Sequence, residues 1–245
     1  MKKFLLILCL LSVAFQASAT GWYRVTTYTG KIGKHSVHAA IQIYDKNIYG
    51  VYYYDNQLVT TELAGHFLND GRIVLNNITS EKSRDYSLLQ KLGGKTLTLN
   101  LSVGGAVGTL TDIHSVLPVS LVKTGYLDDT DKTFKADDIE IPMVTSSKKH
   151  FFLAEYQYYE RNGSQRSWIN ELRIFDRHSH KKIQTIKFYH KPDEWAREGN
   201  VMTVIFQNIE LDKNTMFLNI DNGRMGEYRR FKFNFKKQKY IESSE

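Results

Sequence analysis

Apolar and polar residues alternate along most of the chain with a period of two rather than 3.6. Runs rich in Val, Ile, Tyr and Thr recur at short intervals, and turns containing Asn, Asp and Gly separate them. The pattern predicts many short strands, with one weak helix over residues 81–91. We expect an all-β protein in which antiparallel meanders form a sandwich, a small barrel or a pseudo-propeller. The predicted strands cover residues 36–44, 48–54, 58–67, 72–78, 95–103, 116–123, 139–145, 151–160, 167–176, 182–189, 201–209, 216–220, 228–235 and 239–242.

A change in composition divides these strands into two groups. Residues 125–138 are rich in Asp, Thr and Lys and poor in large aliphatic side chains. We therefore predict a β-meander domain over residues 20–130 and a second antiparallel β domain over residues 131–245.

Residues 1–19 have the three parts of a cleavable export signal. Lys2 and Lys3 supply the positive start, residues 4–15 are an apolar run, and Ala17-Ser18-Ala19 is a small-residue cleavage site. The apolar run is shorter than the ~20 residues that a membrane-spanning helix needs. We predict a signal helix that directs the chain to the periplasm or the exterior and is then removed, which leaves a mature form without a membrane span.

Composition and charge narrow the chemistry that the mature form can perform. The one cysteine, Cys9, lies in the predicted signal, so disulfides and thiol chemistry are excluded. The formal charge is +7 for the whole chain and +5 without Lys2 and Lys3 (31 basic and 26 acidic residues), and it favours an anionic partner such as peptidoglycan, lipopolysaccharide or an acidic protein, unless it is only a solvated surface. No nucleic-acid-binding motif is present, and we predict no nucleic-acid partner. Gly-x-Ser-x-Gly and His-Glu-x-x-His are also missing from the sequence, which favours a binding protein over an enzyme.

Tyrosines concentrated in two predicted strands are the first candidate binding residues. Side chains 52 and 54 share one face of their strand, and 49 and 53 share the other. One face is expected in the core. The other either presents tyrosines to a protein or a glycan, or is covered by the fold as well. The candidates are Tyr49, Tyr52, Tyr53, Tyr54, Tyr156 and Tyr158.

Three oxygen-bearing residues are a weak candidate calcium site. Asn208, Glu210 and Asp212 alternate with other residues, as the ligands of calcium loops do. Lys213 stands where such a loop needs glycine, and its ammonium opposes a cation. A hairpin turn is therefore the favoured interpretation, and no other cofactor is predicted.

Short motifs resemble two groups of exported bacterial proteins. Residues 28–33 (YTGKIG), 48–54 (IYGVYYY) and 63–65 (LAG) resemble a GxYYY β-meander, and this resemblance covers residues 22–124. Residues 171–176 (ELRIFD) and 182–186 (KIQTI), together with the aromatic strand 228–235, are similar to a distantly FG-GAP-like group that includes periplasmic immunity proteins. That second resemblance implies a pseudo-propeller and inhibition of lysozyme-type enzymes.

Together these features favour an exported binding protein and leave three alternatives for its function. The first is a periplasmic inhibitor or immunity protein that blocks a cell-wall-degrading, lysozyme-type enzyme or a secreted toxin. The second is an envelope protein that binds glycan or lipid through an aromatic β surface. The third is a hydrolase whose active-site residues are dispersed along the chain.

Overall fold

The computed structural model describes residues 24–44, 46–78, 94–128, 139–144, 149–161, 164–188, 197–198, 208–221 and 227–243. Within them the protein is all-β, as predicted, and none of these residues forms a helix long and apolar enough to cross a membrane. The predicted signal helix and the predicted helix over 81–91 lie outside the described residues. The strands are β1 Arg24–Ile32, β2 His35–Tyr44, β3 Asn47–Tyr54, β4 Thr61–Phe67, β5 Ile73–Asn77, β6 Thr96–Leu101, β7 Gly105–Thr111, β8 Val116–Asp128, β9 Ile139–Pro142, β10 His150–Arg161, β11 Ser164–Asp176, β12 Lys182–Lys187, β13 Arg197–Glu198, β14 Ile209–Asp212, β15 Thr215–Asp221, β16 Glu227–Asn234 and β17 Lys239–Glu242.

Strands β1 to β8 form a closed antiparallel barrel in which each strand pairs with its neighbours in the chain, and β1 also pairs with β8. Alternate side chains of every strand point inward, because successive side chains of a strand face opposite sides. An eight-stranded barrel has an interior just wide enough for side chains to fill. The buried side chains that fill it are Tyr28, Ile32, Val37, Ala39, Ile41, Ile48, Tyr52, Leu63, Ile73, Leu75, Leu97, Leu99, Ala106, Leu110, Val119 and Leu121.

The second half of the chain forms two antiparallel sheets. One has the strand order β12-β11-β10-β9, and the other has the order β13-β15-β16-β17 with β14 paired to β15. The side-chain amide of Gln184 joins the sheets, since its Nε2 donates to the Tyr240 carbonyl at 2.9 Å and its Oε1 accepts from the Tyr240 N–H at 2.8 Å. The predicted boundary at residue 130 falls between β8 and β9, outside the described residues.

Strand β9 lies across the outer side of the barrel, where it contacts β1, β2, β3 and β8. The largest hydrophobic cluster forms at this junction, because it combines outward-facing barrel residues such as Val25, Val51 and Leu127 with Ile139 and Phe152 of the sheet. At Gly125 in β8, an added Cβ would lie 2.5 Å from Cγ2 of Ile139 and 2.9 Å from Oγ1 of Thr27. Gly125 therefore allows the sheet to approach the barrel this closely.

Replacing Gly125 with alanine should destabilise the protein by about 1–3 kcal/mol, the usual cost of inserting a methyl group into a packed contact. Gly104→Ala is the matched control, because an added Cβ at Gly104 meets no atom within 4 Å and should change stability by less than about 0.5 kcal/mol. Urea unfolding measures both free energies. Equal stabilities for the two variants would contradict a tight contact between β8 and β9.

Candidate interaction surface

The candidate tyrosines of β3 occupy both sides of the barrel wall. Tyr52 is 2% exposed inside the barrel, and Tyr54 packs against the same interior core. On the outer side, Tyr53 is 8% exposed with its ring 4.7 Å from that of Phe151, while Tyr49 packs partly buried against the core shared with the sheets. Burial raises the pKa of Tyr54 to about 12. These tyrosines contribute mainly to the core and do not form a common exposed surface.

The candidate tyrosines of β10 follow the same pattern as far as the structure describes them. Tyr156 is fully buried, and its hydroxyl accepts a hydrogen bond of 2.8 Å from Nδ2 of Asn208. Tyr158 lies in β10 opposite Ser167, but its side chain is outside the described part of the chain.

The three residues of the candidate calcium site are divided between a buried and an exposed position. Asn208 is buried and its amide faces Tyr156, whereas Glu210 and Asp212 are exposed on β14. Lys213 adopts a positive φ of 51° in the turn between β14 and β15, which confirms the hairpin interpretation. Among the described residues, no group of three or more His, Cys, Asp and Glu side chains is arranged to hold a metal ion.

The structure instead brings together a set of charged residues that the sequence pattern did not indicate. Arg173 of β11 donates to three carboxylates: Nε to Glu171 at 2.7 Å, Nη1 to Glu140 at 2.6 Å and Nη2 to Glu155 at 2.7 Å. The register places these three glutamates directly beside one another on β9, β10 and β11. Burial lowers the pKa of the Arg173 guanidinium, but the hydrogen bonds and negative charges of Glu140 and Glu171 raise it by more. The pKa of Arg173 is therefore above its ordinary value.

A histidine–aspartate pair lies on the barrel near Arg173 and its glutamates. Nε2 of His38 is 2.9 Å from Oδ1 of Asp55, and the His38 ring stacks on Tyr53 with a centroid distance of 5.1 Å. Burial raises the pKa of Tyr53, and the negative charges of Asp55 and Glu140 raise it further. Charged groups of the barrel and of the sheet therefore act on one buried tyrosine where the two meet.

A different surface stands out for its exposed aliphatic side chains. Eight large hydrophobic side chains of the described residues are exposed, and five of them lie on the β7–β8 hairpin and its two turns. Exposed apolar residues that gather on one surface mark interaction sites more often than scattered ones do. The five form two groups, one beside the turn before β7 and one at the hairpin tip, with Thr109 and Pro118 between them. We call the five the aliphatic stripe: Val103 (94% exposed), Val107 (57%), Ile113 (85%), Val116 (64%) and Val122 (61%).

The residues of β6, β7 and β8 around the aliphatic stripe are small and uncharged, and Lys31 of β1 lies opposite Ser120 at its edge. On the same outer face, Thr111 pairs with Val116, Thr109 with Pro118, and Val107 with Ser120. Strand β6 continues this face with Thr96, Thr98 and Asn100. These strand positions carry no charged residue, although 24% of the residues in the chain are charged.

The tip of the β7–β8 hairpin is fixed by a hydrogen-bonded turn. Oδ1 of Asp112 accepts bonds from the His114 N–H at 2.8 Å, the Ser115 N–H at 2.7 Å and the Ser115 hydroxyl at 3.0 Å. These bonds, first among them the one from His114, lower the pKa of Asp112. These bonds fix the backbone of the turn around Ile113, so less backbone entropy is lost when a partner covers its side chain.

No protein-family model matches the chain, and searches of curated proteins and of solved structures find no match. The resemblance to GxYYY meanders and to FG-GAP-like immunity proteins therefore stays a prediction.

Replacing Arg173 with methionine should destabilise the protein by about 1–3 kcal/mol, because three adjacent carboxylates lose the guanidinium that they share. Arg72→Met is the control, since Arg72 pairs with Asp70 where both side chains are about half exposed and solvent screens the pair, and it should leave stability nearly unchanged. Urea unfolding at neutral pH compares the two. A loss at Arg173 no larger than at Arg72 would contradict a stabilising role for the cluster.

Proposed function

We propose that this protein is an exported inhibitor that blocks a cell-wall-degrading, lysozyme-type enzyme, and that the aliphatic stripe on the β7–β8 hairpin is the surface that contacts the enzyme. The observation that carries the proposal is the concentration of exposed aliphatic side chains on one hairpin. Interfaces are built around buried apolar anchors, and such anchors carry most of the binding energy.

The closed barrel restricts how a partner can be bound. Each strand from β1 to β8 already has a neighbour on both sides, so the barrel has no free edge to which a partner could add a strand. Binding at β7 and β8 must therefore use side chains. A convex barrel wall with a protruding, preorganised tip suits a concave partner, and the substrate cleft of a glycan hydrolase has that shape.

The choice of enzyme class rests on the predicted export signal and on the resemblance of residues 171–176 and 182–186 to periplasmic immunity proteins. A protein delivered outside the cytoplasm meets enzymes that act on the cell wall. Inhibition would be steric: Ile113 at the hairpin tip enters the cleft, and the neutral face beside it covers the rim.

The proposal predicts that the purified protein slows the hydrolysis of isolated peptidoglycan by lysozyme-type enzymes. Inhibition should be complete once inhibitor and enzyme are present in equal amounts. Ile113→Asp should weaken inhibition about 30-fold or more, because an anchor worth about 2 kcal/mol is lost and a charge is brought to an apolar contact. Asp112→Ala should weaken it several-fold, since the turn is no longer held in place. Turbidity loss of a peptidoglycan suspension measures both effects.

The matched control is Ile241→Asp, which makes the same change at an exposed isoleucine of β17 in another sheet. It should inhibit as well as the unaltered protein. If a panel of such enzymes from competing and host sources is not inhibited, the proposal is wrong. If Ile113→Asp and Ile241→Asp inhibit equally well, inhibition is real but the stripe is not its surface.

A further inference from the structure

Two turns of the second half form a basic surface around an exposed phenyl ring. Phe235, in the turn between β16 and β17, is 55% exposed, although its other side contacts Phe233 with a centroid distance of 5.2 Å. Nζ of Lys149 lies 5.8 Å from the centre of the Phe235 ring. The backbone carbonyl of Lys149 accepts a bond of 2.8 Å from Arg177, which begins the turn between β11 and β12. Lys149 therefore joins the two turns.

This surface, which we call the basic end, carries seven cationic side chains. Six of them are exposed, and Arg177 is partly buried. Within the two turns the acidic residue is Asp176, whose Oδ1 already accepts bonds from the N–H and the hydroxyl of Ser179, each at 2.7 Å. The cations of the basic end are Lys149, Arg177, Lys181, Lys182, Lys236, Lys237 and Lys239.

Hydrogen bonds fix the turn that presents Phe235. Oδ1 of Asn234 accepts from the Lys237 N–H at 2.9 Å, and Nε2 of Gln238 donates to the Phe235 carbonyl at 2.6 Å. Gln238 takes up the positive φ of 52° that reverses the chain. The phenyl ring and its flanking lysines are thus held outward together.

We propose that the basic end docks on the surface of an anionic lipid bilayer, with Phe235 inserted at the level of the headgroups. Lipid headgroups supply negative charge for the lysines, and the acyl chains below them accept an apolar ring, so a bilayer satisfies both chemistries at once. Two adjacent turns at one end of a molecule also contact a broad surface more readily than they enclose a single strand of nucleic acid. This inference does not depend on the proposed inhibitory function.

The test is co-sedimentation with vesicles, one preparation of phosphatidylcholine alone and one of equal parts phosphatidylcholine and phosphatidylglycerol. The protein should bind the anionic vesicles and not the neutral ones. Binding should weaken as salt rises from about 0.1 M to about 1 M, because the screening length falls from ~10 Å to ~3 Å. The protein tested begins at Thr20, because the apolar run of residues 4–15 would itself bind vesicles of either kind.

Lys236→Gln with Lys237→Gln should reduce binding to anionic vesicles about thirty-fold, at roughly five-fold for each lysine. The control is Lys34→Gln with Lys46→Gln, which removes two exposed lysines from turns of the barrel and should change binding by less than about two-fold. Circular dichroism confirms that both proteins remain folded.

Phe235→Ser should reduce binding about ten-fold at low and at high salt, since burying the ring is not an electrostatic effect. Phe67→Ser is its control, because Phe67 is 41% exposed on the barrel and lies outside the basic end. Equal binding to both vesicle types, or equal losses in test and control variants, would overturn the inference. So would a single-stranded oligonucleotide that displaces the protein from vesicles and depends on the same lysines and on Phe235, because the basic end would then be a nucleic-acid site.

Discussion

The packing of β9 and its sheet against one side of the barrel is the contact on which the rest of the structure depends. It requires a strand without a side chain at Gly125, because Ile139 occupies the space where a Cβ would stand. The resulting core combines residues of both halves of the chain around Phe152 and Tyr156. One side of the barrel, including the end of β8 at Gly125 and Leu127, is thereby covered, and the side formed by β7 and the first part of β8 carries exposed valines instead. The position of the stripe is thus a consequence of where the sheet attaches.

Charge is distributed according to the same arrangement. Arg173 and its three glutamates lie near the junction, where partial burial strengthens each hydrogen bond and where an uncompensated carboxylate would be costly. Six exposed lysines lie together at the two turns beside Phe235, where their charges add. The strand positions of the β7–β8 face are uncharged. Three kinds of surface therefore coexist on one all-β scaffold, and a net charge of +7 describes none of them by itself.

The alternation of residue types was enough to predict most strands and the all-β class, since the side chains of each strand must face either core or solvent. It failed at β7, where Gly105, Ala106 and Gly108 look like loop residues. The barrel explains them: a Cβ at Gly108 would lie 1.9 Å from the Thr98 carbonyl oxygen, so the close approach of β6 and β7 excludes a side chain there. The pattern also missed β1, and β7 is the missed strand that carries part of the aliphatic stripe.

The candidate tyrosines show a second limit of prediction from the sequence. Composition alone does not reveal whether the second face of a strand is also covered by the fold. The number of tyrosines in β3 suggests a binding face, but a barrel wall with core on both sides accounts for that number without any partner. Val103 and Ile113, by contrast, are single residues in short turns and carry no periodic signal. They become recognisable only in the structure. Hydrogen bonds of Ser102 close the turn of Val103, those of Asp112 close the turn of Ile113, and both aliphatic side chains remain exposed. An apolar side chain at the tip of such a turn stays in contact with water and gains nothing from packing within its own fold, which supports the proposal that a partner covers it.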